Sequence, residues 1–234
     1  LDLTYTGMSD KNRNLNRIGD MIGLLFIFIG FFVHRKHKSS LSFSFALFAI
    51  CFGFIFTNGP YISSSGMNIA VNVISSSIVL FSFTALAVFM LKYPPLSSFI
   101  GDEKKRKMIY IPLIIMIVII SVVQGSQMDR SETLNTVMRL LFAAYIIFFF
   151  LVSLITLIRK YRNADADFRT ANGLNSMLIG ALIGLLPILI YFSAGTISPD
   201  LYLPGYEYIF ITFIAIPIFF SMALNQQSNN SPSE

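Results

Sequence analysis

The chain has 234 residues, of which 55% are hydrophobic and 12% charged, with a mean hydropathy of +0.70 and a formal charge of +5. A soluble domain carries about a quarter charged residues, so this composition excludes a water-exposed globular surface and makes lipid the main solvent. The basic balance, with a pI of about 9.4, is spread over short loops between apolar runs, which suits anionic lipid headgroups and excludes a nucleic-acid partner.

Seven apolar runs follow one another: 18–33, 41–57, 69–91, 109–124, 140–158, 174–195 and 208–224. Each comes near the ~20 residues needed to cross ~30 Å of hydrocarbon as a helix. The expected fold is all-α, an integral membrane bundle of about seven transmembrane helices filling 18–224. Residues 1–17 are expected to be an extracytoplasmic segment. That segment has no initiating Met, signal-peptide core or lipobox cysteine, and reads as a fragment or a processed end. Residues 225–234, NQQSNNSPSE, are polar and low in complexity, and are expected to be a disordered cytoplasmic tail or linker stub.

Loop charges orient the bundle, because Lys and Arg are retained on the cytoplasmic side. Of the 17 basic residues, twelve follow runs one, three and five: Arg35, Lys36, Lys38, Lys92, Lys104, Lys105, Arg106, Lys107, Arg159, Lys160, Arg162 and Arg169. The N-terminus is therefore expected outside and the C-terminus in the cytoplasm, in what reads as a bacterial cytoplasmic membrane. Tyr61, Tyr93, Tyr110, Tyr202, Tyr206 and Tyr208 stand at run ends, where an amphipathic ring gains from both phases, and are expected to be interfacial anchors.

Along the chain, Asp20 leaves run one the shortest charge-free span, and the single Cys51 sits inside run two, excluding an internal disulfide. Asn58 and Gly59-Pro60 follow run two as a shaped rim. Run three then concentrates the polarity: Asn68, Asn72, Ser75 and Ser76 share one helical stripe reaching inward from the outer surface. The stripe is either interhelical hydrogen bonding or the wall of an outward-opening pocket. On the second reading Asn58, Asn68, Asn72, Ser76 and Tyr191 of run six would recognise a mostly apolar ligand, such as a lipid, an isoprenoid or a lipidated peptide. Pro112 is a first-turn proline of run four. Ser176, Gly180 and Gly184 form a small-residue face for close helix packing. Pro187 and Pro217 are expected to bend runs six and seven.

Motifs that carry chemistry are scarce. There is no His-Glu-x-x-His, phosphate-binding glycine loop or Gly-x-Ser-x-Gly elbow, and no catalytic residue, metal ligand or cofactor is expected. His34 and His37 are three apart, but they lie within HRKHK, where neighbouring positive charge opposes a metal. The runs carry no mid-depth carboxylate or basic group of the kind proton-coupled transport uses.

The stretch RKYRNADADFRT leads into ANGLNSMLIGALIGLLPILIYFSAGT, then LYLPGYE and YIFITFIAIPIFFSMAL, while run three closes on FMLKYPPLSSF. This pattern resembles the multi-span membrane sensor region of bacterial signalling proteins, typified by the competence quorum-sensing histidine kinase of bacilli. The resemblance implies a sensor whose last helix feeds a cytoplasmic output domain. The chain departs from that pattern in having neither a phosphoacceptor helix nor ATP-binding glycine boxes.

Three function classes stay open. The first is a non-catalytic membrane sensor or scaffold relaying to a cytoplasmic output domain or partner. The second is an accessory subunit of a larger membrane complex, and the third a transporter or lipid-modifying enzyme. Membrane lipids are expected partners throughout. Arg159, Lys160 and Arg162, with Asp165 and Asp167 nearby, are the expected partner-binding surface.

Overall fold

The structure is a computed structural model and describes residues 10–56, 65–94, 108–126, 132–197 and 206–230, with side chains for 14–56, 66–94, 108–126, 132–191 and 209–230. The described residues are helical, without a strand. In chain order the elements are α1 (Asp10–His37), α2 (Ser40–Ile55), α3 (Ser65–Lys92), α4 (Ile111–Gly125), α5 (Glu132–Asn163), a short α6 (Ala166–Ala171), α7 (Leu174–Gly184), α8 (Leu186–Ile197), a 3-10 helix (Tyr206–Ile214) and α9 (Ala215–Asn230). Five helical segments are long and apolar enough to cross a membrane, and the 16-residue α2 and 15-residue α4 are apolar but shorter.

Local chemistry sets the element boundaries. Lys38 takes the left-handed region at φ 47°, and Ser39 then caps α2 reciprocally with Ser42: Ser42 N donates to Ser39 Oγ at 3.0 Å and Ser39 N to Ser42 Oγ at 2.9 Å. That capping box turns the chain back on itself in two residues. α3 stops before Tyr93, whose following Pro94 disfavours helical backbone at the preceding residue. Pro112 stands in the first turn of α4, as expected. Asp165 caps α6 by accepting from Phe168 N at 2.7 Å. Gly173, at φ 65°, lets α7 start where an added Cβ would meet the Ala223 backbone at 2.6 Å.

At both positions expected to bend, the helix changes. Run six divides at Leu185, two residues before Pro187, into α7 and α8. Run seven changes from 3-10 to α geometry at Ala215, with Pro217 in the first turn of α9. The small-residue face of run six packs as expected: a Cβ on Gly180 would lie 2.6 Å from Phe219 Cβ, and Gly184 abuts Ile216.

The core is a phenylalanine core centred on α3. Every residue from Ser82 to Met90 is buried, so this half of α3 is enclosed on all sides by α2, α4, α5 and, through Phe89 against Phe220, α9. Phe26, Phe48, Phe52, Phe83 and Phe213 interlock, with Phe52 to Phe213 ring centroids 4.8 Å apart and Phe26 to Phe52 5.0 Å. The outward faces are just as apolar, with Leu24, Phe28, Phe31 and Phe32 of α1 and Ile114, Ile115, Val118 and Val122 of α4 exposed. An inverted solvent requirement of this kind suits hydrocarbon.

Residues 10–17 form the first turns of α1, a 28-residue helix that contains run one. Two expectations are corrected. Residues 225–230 are not disordered but continue α9, because their amides and hydroxyls find partners on α1 and α6. Tyr93 is fully buried beneath Phe89 rather than anchored at an interface. Tyr110 is half-buried. Tyr61 and Tyr202 lie outside the described residues, as do the side chains of Tyr206 and Tyr208.

Candidate functional site

The last turn of any helix leaves carbonyls without partners inside it. At α3 those carbonyls are taken by one side chain. Lys160, near the end of α5, donates Nζ to the carbonyls of Met90 at 3.0 Å, Leu91 at 2.7 Å and Tyr93 at 2.8 Å. All three ammonium donors are thereby used, and the charge sits where the α3 dipole favours a cation. Tyr93 extends the link by donating its hydroxyl to the Asn172 carbonyl, between α6 and α7. Burial pushes the Tyr93 phenol well up, so it stays a donor.

Neighbouring contacts tie further elements to the same end. Lys92 Nζ donates to Ser44 Oγ of α2 at 2.6 Å. Lys36 Nζ donates to Asn225 Oδ1 at 3.0 Å, and His37 meets Asn225 Oδ1 through Nε2 at 2.8 Å and Ser228 Oγ through Nδ1 at 3.0 Å. Asn230 Nδ2 donates to the Ala171 carbonyl at 2.9 Å. Arg169 lies over the Tyr161 ring at 4.4 Å and donates Nε to the Ala164 carbonyl at 2.9 Å. The C-terminal ends of α1, α3, α5 and α9 thus meet in one polar network, which contains much of the basic sequence.

The residues expected to carry function fall on three of the described helices. Asn68 and Asn72 are exposed and Ser76 is half-buried on the opposite half of α3 from the network, and none of them hydrogen-bonds another described residue. Among the described residues, these side chains therefore make no hydrogen bond between helices. Asn58 lies outside the described residues. Tyr191 is half-buried on α8, which packs on α5, α7 and the 3-10 helix rather than along α3. Arg159 and Arg162 are exposed, whereas Lys160, expected at a partner surface, is engaged inside the chain. His34 reaches Ser42 Oγ at 3.3 Å and His37 reaches α9, so the two rings serve different neighbours. Among the described residues no group of three or more His, Cys, Asp or Glu comes together.

Two features escaped sequence reasoning. Thr84 and Tyr145, both buried, share a short hydrogen bond between α3 and α5, and Thr84 also bonds the Leu80 carbonyl at 3.1 Å. Their signal was present, a hydroxyl deep in each of two apolar runs. The second is an apolar groove of about 260 Å³, lined by Leu91, Met108, Ile109, Pro112, Phe148, Phe149 and Val152. It lies where α3 ends and α4 begins, beside the network and away from the polar stripe.

Chemically, the network can hold helix ends in register and transmit displacement. Comparison of the chain with protein-family models, curated proteins and solved structures found no match.

Proposed function

We propose that the chain is a seven-crossing sensor or scaffold domain of a cytoplasmic membrane, with its N-terminus outside, passing occupancy at its outer half to its cytoplasmic end. The observation that carries this reading is the construction of α3. One half bears the exposed Asn68 and Asn72, the other is buried on every side, and its terminal carbonyls are gripped by Lys160. A rod with a polar outer face and a clamped inner end moves its clamp when its outer face is engaged. Tyr93 and Asn172 connect that clamp to α7, and the α1–α9 contacts connect the same end to the last helix. The ligand is apolar or lipid-like with a few hydrogen-bonding groups, and the relay ends at a cytoplasmic partner reached through the exposed Arg159 and Arg162.

A second reading, an accessory subunit of a membrane complex, draws on the same exposed asparagines. Polar groups facing hydrocarbon are costly unless another protein or water meets them.

Hydrogen exchange in nanodiscs separates the two. On the sensor reading, an isoprenoid alcohol or a lipidated peptide added from the outer face changes protection at 90–93 and 225–230. Asn72→Leu abolishes that change at unaltered abundance. On the subunit reading, neither addition alters protection, and the chain purifies in mild detergent with a stoichiometric membrane partner. Lower abundance of Asn72→Leu with the response per molecule unchanged would remove the stripe from any recognition role.

A further inference from the structure

We infer that Asn72 and Arg139 form a recognition site for the anionic headgroup of a phospholipid, at the end of the bundle opposite the Lys160 clamp. Phe83 of α3 and Phe150 of α5 are in contact, with ring centroids 5.0 Å apart. The two helices run in the same direction, since Lys160 near the end of α5 bonds the carbonyls at the end of α3. Eleven residues before each phenylalanine, three helical turns back, stand Asn72 and Arg139. Three whole turns return a residue to the same face of its helix, so the amide and the guanidinium lie on the two faces that meet at the rings, roughly 16 Å further along. Ser76 and the buried Ala143 hold the places between them, each seven residues before its phenylalanine.

Depth and charge select the occupant. Asn72 comes twenty residues before Lys92, and Arg139 twenty residues before the exposed Arg159. Twenty residues of helix cover about 30 Å, the thickness of the hydrocarbon, so with Lys92 and Arg159 at one boundary Asn72 and Arg139 reach the other. That is the level of phospholipid headgroups. Both residues are exposed, and neither has a hydrogen-bond, ion-pair or ring partner among the described residues. A guanidinium presents paired donors that match a phosphate, and the amide adds a further N–H. Glu132, the acidic residue on the same helix, is exposed two turns further out and makes no ion pair with Arg139. A second copy of the chain would bring a like charge towards Arg139, whereas a phosphate neutralises it. Exposed Met67 and Ile74 on α3 and Val137, Leu140 and Leu141 on α5 give the acyl chains an apolar bed. For its role this site rests on the sensor reading, which places a lipid-like ligand at this half of α3, and it adds the anionic head.

Photolabelling in nanodiscs tests it. The full chain is reconstituted in phosphatidylcholine containing a trace of phosphatidylglycerol or, separately, of phosphatidylcholine, each with a diazirine near the head end of one acyl chain, and adducts are mapped by peptide mass spectrometry. Phosphatidylglycerol should label 72–76 and 139–143 about fivefold more than phosphatidylcholine, the preference one favourable base gives near a membrane surface. Arg139→Gln should bring the two probes level. Glu132→Gln and Arg17→Gln, which remove other exposed charges, should leave the preference intact. Equal labelling by the two probes in the unmodified chain overturns the site, since Arg139 then only faces bulk lipid. A preference that survives Arg139→Gln overturns it as well, because net charge alone then attracts the probe. Displacement of the adducts by millimolar inorganic phosphate would assign the anion to free phosphate and overturn the lipid, and absence of label at 72–76 from either probe would mean that protein covers the stripe. Protection at 90–93 is read in the same discs: headgroup preference without any change there removes the relay and leaves the site, and a change there without headgroup preference removes the site alone.

Discussion

At the scale of single residues, the basic loop after α5 contains two kinds of base. Arg159 and Arg162 are exposed, and Lys160 spends its ammonium on three carbonyls of α3. Hydrogen bonds to a charged donor contribute about 1.5–3 kcal/mol each when intact, but carbonyls near a membrane surface regain water when the donor is lost. Lys160→Met should therefore lower stability by roughly 2 kcal/mol, whereas Arg159→Gln and Arg162→Gln should stay within about 0.5 kcal/mol. Thermal unfolding of the three variants in the same detergent checks this; equal midpoints would mean that the clamp holds nothing. Thr84 and Tyr145 offer a second residue-scale test. Their bond joins α3 to α5 inside the apolar core, where interhelical hydrogen bonds are worth about 0.6–2 kcal/mol. A double-mutant cycle of Thr84→Val and Tyr145→Phe should return a coupling in that range. A coupling near zero would make the contact a by-product of packing.

At the scale of elements, the crossing of α1 and α2 rests on close backbone approach. A Cβ built on Gly53 would stand 2.6 Å from the Gly23 carbonyl oxygen, one on Gly23 would stand 2.6 Å from the Gly53 carbonyl oxygen, and one on Gly30 would press Ala49 Cβ at 2.8 Å. Backbone cannot yield as a side-chain tip can, so Gly53→Val should cost about 1–3 kcal/mol and reduce the folded fraction. Gly66→Ala and Gly125→Ala, which meet open space, should not. Monodispersity on size exclusion after mild extraction reads the difference, and parity among the three would refute tight packing at this crossing. This crossing also marks where the sequence was and was not legible. Apolar length located α1, α3 and α5, and proline position located the breaks at Leu185 and Ala215, because both are local properties of the chain. Gly23 and Gly53 were invisible as a pair because what joins them is tertiary. The same holds for Lys160: a base at a helix end reads as a topology signal, and only the fold brings the end of α3 to it. Asn225 and Ser228 read as tail because their partners lie on α1, far away in sequence. The groove was hidden for the opposite reason, since hydrocarbon lining is indistinguishable in sequence from hydrocarbon core.

At the scale of the whole molecule, the number of crossings turns on α2 and α4. At 1.5 Å per residue these helices of 16 and 15 residues are roughly 24 and 22 Å long, short of ~30 Å of hydrocarbon. Local thinning and snorkelling absorb such a deficit at fractions of a kcal/mol per Å. If neither helix crossed, the five long segments would still place the two chain ends on opposite sides, so terminal reporters cannot separate five crossings from seven. The difference lies in the 92–107 loop, which is cytoplasmic with seven and external with five. Five crossings would also run α3 and α5 in opposite directions. The Lys160 bonds instead join the C-terminal end of α3 to the C-terminal end of α5. Parallel α3 and α5 support the proposed seven crossings, in which α2 and α4 return across the membrane and the five bases of the 92–107 loop lie on the side that retains positive charge. Ser97→Cys, with Cys51 replaced by Ala, should accordingly resist an impermeant maleimide in intact cells and react after permeabilisation. Labelling in intact cells would reverse that loop, reduce the bundle to five crossings and remove the shared cytoplasmic end on which the relay depends.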